Sequence, residues 1–272
     1  MLTLALACIG LVAPNPTPTD EAGTVLFRDD FDAPTLGDEW ATGDWTLSRS
    51  RLGNEISVED GKAILTFDTF DPQQPGQATL GSELFTRRLF GRPEGGVLQV
   101  EARVRLDQSL PPGIVASIFT YVTEDHGDGQ VSDEIDFEFL TTLNRVGTGS
   151  SHVTCTTWND WNAKTPDYED SRVVTSETIV IDGTDLYAFH VYRFRWHEDR
   201  IEWFVDGQLI RTAETAVPDT AAPIRFNLWA AAEGWAKAYS GDLQPAKTAE
   251  TNERSTYEID YVEIRSLPAE KD

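Results

Sequence analysis

Cysteine is scarce in this chain of 272 residues, which contains only Cys8 and Cys155. Cys8 lies in an apolar N-terminal run, so a chain processed beyond that run could form no internal disulfide. The four histidines are scattered, and no Cys/His spacing typical of a zinc site is present. We therefore expect Cys155, which lies in a strand-like run, to be a small buried side chain.

Basic residues are also few, 22 against 46 acidic residues, which gives a formal net charge of −24. A surface of this sign repels phosphate groups, so we do not expect nucleic acid as a partner. The charge is compatible with an uncharged substrate. It is equally compatible with a salty medium, in which ions screen the repulsion between the acidic side chains.

The sequence has no apolar run long enough to span a membrane. Residues 1–13 are apolar but too short to cross a bilayer. They precede a Pro/Thr-rich segment at 14–24, and the pair is typical of a secretory leader followed by a linker. Leu-Ala-Leu-Ala-Cys8 loosely resembles a bacterial lipoprotein cleavage site. We therefore predict export, with a lipid anchor on Cys8 as a further possibility.

Helical periodicity is weak throughout, and residues 230–240 are the one candidate helix. Short runs with period-two alternation and turn signals between them predict strands instead. These runs are 25–27, 56–58, 63–67, 97–106, 113–122, 134–140, 152–158, 190–196, 201–205, 209–212, 225–229 and 257–265. Residues 159–186 are predicted to form a loop. About a dozen strands without long helices predict one all-β domain over 25–268, an antiparallel sandwich.

The most informative stretch is 133–140, Asp-Glu-Ile-Asp-Phe-Glu-Phe-Leu. In a strand, its apolar side chains face a core while Glu134, Asp136 and Glu138 share the other face. Like charges this close repel and raise one another's pKa, a cost that a fold does not require. Glycoside hydrolysis uses such a set, because it needs one carboxylate as nucleophile and a second, protonated, as general acid. In so acidic a chain, a solvated acidic face is the alternative.

Tryptophans are the next candidates, since sugar rings stack on aromatic faces. By residue type the candidates are Trp158, Trp161, Trp229 and Trp235. Any one of them can instead be a core residue. Trp196 and Trp203 lie inside clean alternations, so we predict that these two pack in the core.

Several blocks of sequence, in the same order, resemble glycoside hydrolase family 16. They are Gly81-Ser-Glu-Leu84, Gly96–Val104, Ser117–Tyr121, Glu134–Phe139, Trp203–Gly207 and Asn227–Trp229, and the resemblance extends over about residues 25–265. The motif Glu-x-Asp-x-Glu without an inserted residue is similar to the lichenase-like group. Laminarinase-like members carry an additional bulge residue there.

The resemblance implies a β-jelly-roll sandwich whose concave sheet binds a polysaccharide and hydrolyses its internal β-linkages with retention of configuration. It implies Glu134 as nucleophile, Glu138 as general acid and then base, and Asp136 as a group that tunes both. Glu134 and Glu138 are about 13 Å apart along an extended strand. A retaining pair needs about 5 to 5.5 Å between its carboxyl groups. We expect the two long glutamate side chains to lean together.

Other positions carry over from the resemblance. Those that match cleft-lining positions are Glu83, Phe119, Tyr121, Asn227, Trp229 and Trp235. On the strand after the acidic motif, which does not align residue by residue, candidate contacts are His152, Trp158 and Trp161. Gly61 and Asp260 match a calcium site remote from the cleft, with a solvated carboxylate as the alternative at 260. No cofactor is expected for catalysis.

Three departures from the family pattern leave the substrate open. Ser132, Phe85 and Thr141 replace an aromatic residue, a basic residue and a glycine. The sequence nevertheless predicts a secreted, monomeric, retaining endo-β-glycanase for a β-1,3- or mixed β-1,3/1,4-glucan. The alternatives are hydrolysis of a β-galactan, transfer to a sugar acceptor, and carbohydrate binding without catalysis.

Overall fold

The computed structural model describes residues 23–125, 129–144 and 146–269. The apolar run 1–13, Cys8 and nearly all of the Pro/Thr segment lie outside these ranges, so the structure does not test the leader or the anchor. The strands are β1 (Thr24–Asp29), β2 (Trp40–Thr42), β3 (Thr46–Leu47), β4 (Ser50–Leu52), β5 (Ser57–Glu59), β6 (Lys62–Asp68), β7 (Thr79–Thr86), β8 (Gly96–Leu106), β9 (Ile114–Asp125), β10 (Gln130–Leu140), β11 (Ser150–Trp161), β12 (Val174–Asp182), β13 (His190–Trp196), β14 (Ile201–Val205), β15 (Gln208–Ala213), β16 (Ile224–Ala230) and β17 (Arg254–Pro268).

The strands form two layers, which we call the cleft sheet and the outer sheet. The cleft sheet has the order β12–β11–β10–β9–β16–β7–β2, with every pair antiparallel. The outer sheet has the order β15–β14–β13–β8–β17, and β1 and β6 both pair with the far side of β17. This all-β arrangement confirms the predicted jelly-roll sandwich.

Strand β7 connects the layers. Its first residues pair with β4 and β6 in the outer sheet, and its last residues pair with β16 and β2 in the cleft sheet. A side chain at Gly81, where the strand changes sheets, would collide with the carbonyl oxygen of Leu228. The glycine therefore permits the close approach of the two backbones.

The core between the sheets follows the period-two pattern of the sequence. The rings of Phe137 and Phe139 from the cleft sheet contact Tyr192 of the outer sheet, with centroid distances of 5.6 and 4.7 Å. Trp196 and Trp203 are fully buried, which confirms their predicted packing role. The Trp203 indole donates a hydrogen bond of 2.9 Å to the carbonyl oxygen of Asp136, so the core holds the acidic strand from below.

Two Asp-Gly pairs form the turns of hairpins in the outer sheet. Asp60-Gly61 joins β5 to β6 and Asp206-Gly207 joins β14 to β15, and all four residues have φ between 49° and 81°. Two successive left-handed residues are the signature of a type I′ hairpin, which favours Asn or Asp followed by Gly. The sequence thus determines the local geometry of both hairpins.

Two sequence predictions are wrong. Residues 159–186 are not all loop, because β11 extends to Trp161 and β12 pairs with it from Ser150↔Asp182 to Trp158↔Val174. Strand β12 is an edge strand bonded through polar side chains, so it lacks the apolar alternation of a core strand. Residues 230–240 are not helical, because Ala230 ends β16 and turns and irregular backbone follow, and the helical segment in the described ranges is a single 3-10 turn, Ala249–Thr251.

Candidate active site

Strand β10 presents Glu134, Asp136 and Glu138 on the open face of the cleft sheet. The residues between them, Ile135 and Phe137, are fully buried in the sandwich core and fix the orientation of the strand. On one side, β9 places Tyr121, Phe119 and Ser117 directly opposite the three acids. On the other side, β11 places Trp158, Thr156 and Thr154 opposite the same three. The acids therefore lie between two walls of side chains.

A cavity of about 430 Å³ opens over the acids, within the size range of small-ligand sites. Its lining combines the three acids with five of the predicted contacts: Glu83, Phe119, Tyr121, Asn227 and Trp229. Trp235 does not line the cavity but packs on Trp229, with ring centroids 5.9 Å apart. The structure thus brings together most of the residues that the resemblance placed in the cleft.

The three candidates on β11 lie on the other side of the catalytic strand. The Trp158 side chain lowers the pKa of Asp136, against the larger effect of burial, and its ring contacts the Trp161 ring at a centroid distance of 5.3 Å. His152 follows the same alternation as Trp158 and is partly buried, and its Nδ1 atom has no hydrogen-bond partner. None of the three lines the 430 Å³ cavity.

The sequence analysis missed Arg225, which lies in the cavity on β16. Its Nη1 atom is 2.6 Å from Glu83 Oε1, and its guanidinium lies 4.7 Å from the centroid of the Phe85 ring. Arg225 and Phe85 are register partners on neighbouring strands. Arg225 thus places a positive charge beside Phe85 from the adjacent strand. Period-two alternation from Asn227 could have identified it.

Trp45, Leu47 and Ser117 also line the cavity and were not predicted. Trp45 contacts Phe85 at a centroid distance of 5.9 Å and leaves 41% of its surface exposed. It lies just outside a two-residue strand, so no periodic pattern identified it. Its exposed ring extends the aromatic wall of the cleft.

Burial dominates the electrostatics of the acids. It raises the pKa of Glu138 to about 8, helped by the negative charge of Glu134 and opposed by Lys237. Burial also raises the pKa of Glu134 to about 7, but a hydrogen bond from Asp136 and the charge of Arg225 act in the opposite direction. The pKa of Asp136 is raised by burial and by both glutamates. Both glutamates therefore hold a proton to higher pH than an exposed glutamate does.

The cavity also contains polar atoms that lack partners. Asn227 Oδ1, Trp229 Nε1 and Arg225 Nε are buried without a hydrogen-bond partner. Unpaired buried polar groups are costly, so such groups are typically satisfied by a ligand or water. An acceptor and two donors in one cavity suit a ligand with several hydroxyl groups.

The predicted calcium ligands lie on the far side of the molecule. Gly61 has a φ of 70° and lies next to the carbonyl oxygen of Asp30. Asp260 Oδ2 accepts a bond of 2.6 Å from Arg103 Nη1, so a guanidinium already neutralises that carboxylate. Calcium takes six to eight oxygen ligands. In the described ranges no group of three or more His, Cys, Asp or Glu side chains could hold a metal. The structure does not test calcium binding here, and the ion stays a prediction.

Among the described residues, no helix is both long enough and apolar enough to cross a membrane.

Comparison with known proteins identifies the same family as the sequence motifs. The sequence model of glycosyl hydrolases family 16 matches residues 52–263. A beta-glucanase of Bacillus licheniformis is 38% identical over 132 residues, which cover 47% of this chain and 46% of that protein. A beta-glucanase of Bacillus subtilis (strain 168) is 36% identical over 141 residues, covering 51% of this chain and 50% of that protein. The chain thus spans about half the length of these relatives.

Solved structures show the same fold. The structure of the Bacillus licheniformis beta-glucanase superimposes with a TM-score of 0.62 at 23% identity, covering 90% of this chain and 99% of that chain. At this identity the likeness concerns the fold.

Proposed function

Because the chain belongs to the glycosyl hydrolases of family 16, we propose that it hydrolyses internal β-linkages of a β-1,3- or mixed β-1,3/1,4-glucan, with retention of configuration. The observation that carries the proposal is the set of Glu134, Asp136 and Glu138 on one strand face, where all three line one cavity. The names of the relatives support a glucan. The proposal includes secretion, which the N-terminal leader predicts. A polysaccharide does not cross a membrane, so its hydrolase must act outside the cell.

In the first step, the Glu134 carboxylate attacks the anomeric carbon of the sugar. The bond from that carbon to the leaving oxygen breaks while Glu138 donates its proton to the oxygen. Asp136 holds Glu134 by a hydrogen bond that favours the charged form of Glu134. Arg225 adds a positive charge that acts in the same direction. Both effects favour the ionised nucleophile and oppose burial, which raises the pKa of Glu134 to about 7.

In the second step, the ionised Glu138 takes a proton from water, and the water oxygen attacks the anomeric carbon. The ester bond to Glu134 breaks and returns the carboxylate. Two displacements at one carbon restore the original configuration, which is the outcome for a closely spaced carboxyl pair. Once Glu134 is esterified its charge is gone, so the pKa of Glu138 falls and Glu138 can act as a base.

A panel of polysaccharides tests the proposal. Laminarin, barley mixed-linkage glucan, agarose and κ-carrageenan are incubated with the protein, and new reducing ends are measured, with the Glu134→Gln variant as control. We expect oligosaccharides from one or both glucans and none from the control. Release from a galactan alone would overturn the glucan assignment, and binding without release from any polymer would overturn the enzymatic function.

A further inference from the structure

A group of three aromatic side chains lies beside the catalytic strand, on the side opposite the cavity. Trp158, Trp161 and Tyr168 contact one another, with ring centroids 5.3, 6.1 and 6.2 Å apart. We call these three side chains the β11 platform. None of them belongs to the buried clusters that form the core of the described residues. Their packing is therefore separate from the core of the sandwich.

The platform presents an open aromatic surface. Tyr168 leaves 65% of its surface exposed, the largest value among the exposed large hydrophobic residues of the described ranges. Trp158 and Trp161 are partly buried. The Trp158 ring meets the Tyr168 ring edge-on, at an interplanar angle of 78°. Such contacts hold an exposed ring in one orientation, and a fixed exposed ring is the surface on which a sugar stacks.

The segment that carries Tyr168 is tied to its neighbours. The backbone N–H groups of Glu169 and Asp170 donate to Asp167 Oδ1 at 3.0 and 3.1 Å. The N–H of Asn159 on β11 donates to the carbonyl oxygen of Val173 at 2.9 Å. The first two bonds form a local turn around Tyr168, and the third joins the segment to β11 after that turn. The tyrosine is thus part of an organised turn next to the cleft.

The platform is continuous with the catalytic site. Trp158 is the register partner of Glu134 on the neighbouring strand. Neighbouring strands lie about 4.8 Å apart. The platform therefore begins one strand beyond the acids, whereas the cavity with Glu83 and Arg225 lies on the other side of them. A glycan chain that occupies the cavity and crosses β10 meets these rings next.

We propose that Trp158, Trp161 and Tyr168 form a further sugar-binding subsite, on which a pyranose ring of the polysaccharide stacks beyond the catalytic acids. The inference rests on the proposed function for the nature of the chain that crosses β10. Stacking uses the C–H face of the sugar. The segment around Tyr168 also carries Asp160, Asp167 and Glu169, which repel sulfate and carboxylate groups, so the subsite takes an uncharged pyranose.

The kinetic test compares Tyr168→Ala with Tyr168→Phe on glucan oligosaccharides of increasing length. We expect Tyr168→Ala to lower kcat/KM on the polymer about five- to tenfold, the range of an aromatic contact. On the shortest oligosaccharide that is cleaved, kcat/KM stays unchanged. Tyr168→Phe keeps the ring and behaves like the wild type, as does Leu209→Ala, which removes an exposed side chain from the outer sheet. An equal loss of kcat/KM in Tyr168→Ala at every oligosaccharide length, or no loss at any length, would overturn the proposed subsite.

A binding test separates this inference from the proposed function. The Tyr168 variants are placed in the Glu134→Gln background and run in native gels that contain laminarin, barley glucan or κ-carrageenan. We expect one of the neutral glucans to retard the tyrosine and phenylalanine forms more than the alanine form, whether or not the wild type hydrolyses it. Equal migration of all forms in every gel, or retardation by κ-carrageenan alone, would contradict the subsite.

Discussion

Two charges beside Glu134 oppose one another at the scale of single residues. Glu83 is 3% exposed and raises the pKa of Glu134, while Arg225 lowers it. Arg225 also pairs with Glu83 at 2.6 Å, so the glutamate remains ionised more readily than its burial alone would allow. The effect of Arg225 on Glu134 is larger than that of Glu83. The ion pair thus favours the ionised nucleophile.

Substitutions in this pair should move the acid limb of the pH profile in opposite directions. Glu134 must be deprotonated to attack, so a higher pKa shifts the limb to higher pH. Arg225→Met removes the charge that lowers the pKa and should shift the limb of kcat/KM up. Glu83→Gln removes a charge that raises it and should shift the limb down.

The measurement is kcat/KM between pH 4 and 9 for both variants and the wild type. A purely structural role of the pair would lower kcat/KM at every pH without moving the limb. Shifts in the same direction for the two variants would contradict the assigned charges.

The sequence predicted the acids better than their surroundings. Alternation alone places Glu134, Asp136 and Glu138 on one face, because a strand has a period of two. Arg225 was missed because the guanidinium reaches its place from β16, and strand pairing is not visible in one sequence. The pairing that opposes Arg225 to Phe85 joins positions 140 residues apart in the chain.

At the scale of elements, Asp133 anchors the start of the catalytic strand. Its carboxylate accepts backbone N–H bonds from Asp160 at 2.9 Å and from Asp219 and Thr220 at 3.2 Å. Asp133 is 4% exposed, and the ladder between β10 and β11 shifts register beside it. One side chain therefore joins β10 to the end of β11 and to the segment before β16.

Asp133→Asn should destabilise the protein and weaken catalysis. Its amide N–H₂ group would face a backbone donor, and an unsatisfied buried donor costs about 1–3 kcal/mol. The free energy of unfolding by urea measures the loss. Asp38→Asn, at an exposed position, is the control and should leave it unchanged. Equal stability of both variants would show that the three bonds contribute little.

Strands could be predicted from the sequence where the alternation of apolar and polar residues agrees with the turn residues that flank it. The hairpin β14–β15 has both an apolar alternation and an Asp-Gly turn. Strand β12 has neither, since it is held by pairs such as Thr154 with Thr178, whose hydroxyl oxygens are 2.8 Å apart. Residues 230–240 were predicted as a possible helix, but Trp235 and Ala238 pack against the end of the cleft sheet instead. Tertiary packing outweighs the local pattern there.

At the scale of the whole molecule, the acidic excess is only partly paired. Several arginines are used in ion pairs across the outer sheet, such as Arg105 with Glu258 and Arg193 with Glu101. A net charge of −24 leaves strong repulsion among the remaining acids. Such repulsion destabilises the compact state and is screened by salt.

Salt should therefore stabilise the protein. The screening length falls from about 10 Å at 0.1 M to about 3 Å at 1 M ionic strength. We expect the melting temperature to rise between these concentrations of NaCl. A variant with amides at the exposed Asp32, Asp38 and Glu39 should show a smaller rise. A melting temperature that falls with salt would indicate that ion pairs outweigh the repulsion.

Chemical rescue tests the assignment of roles to the two glutamates most directly. An aryl β-glucan oligosaccharide with a good leaving group is incubated with Glu134→Ala or Glu138→Ala in the presence of azide, and the anomeric configuration of the glycosyl azide is read by NMR. Azide should replace the missing nucleophile in Glu134→Ala and give the α-azide. In Glu138→Ala it should attack the ester on Glu134 and give the β-azide. An α-azide from Glu138→Ala, with none from Glu134→Ala, would reverse the two roles and contradict the mechanism.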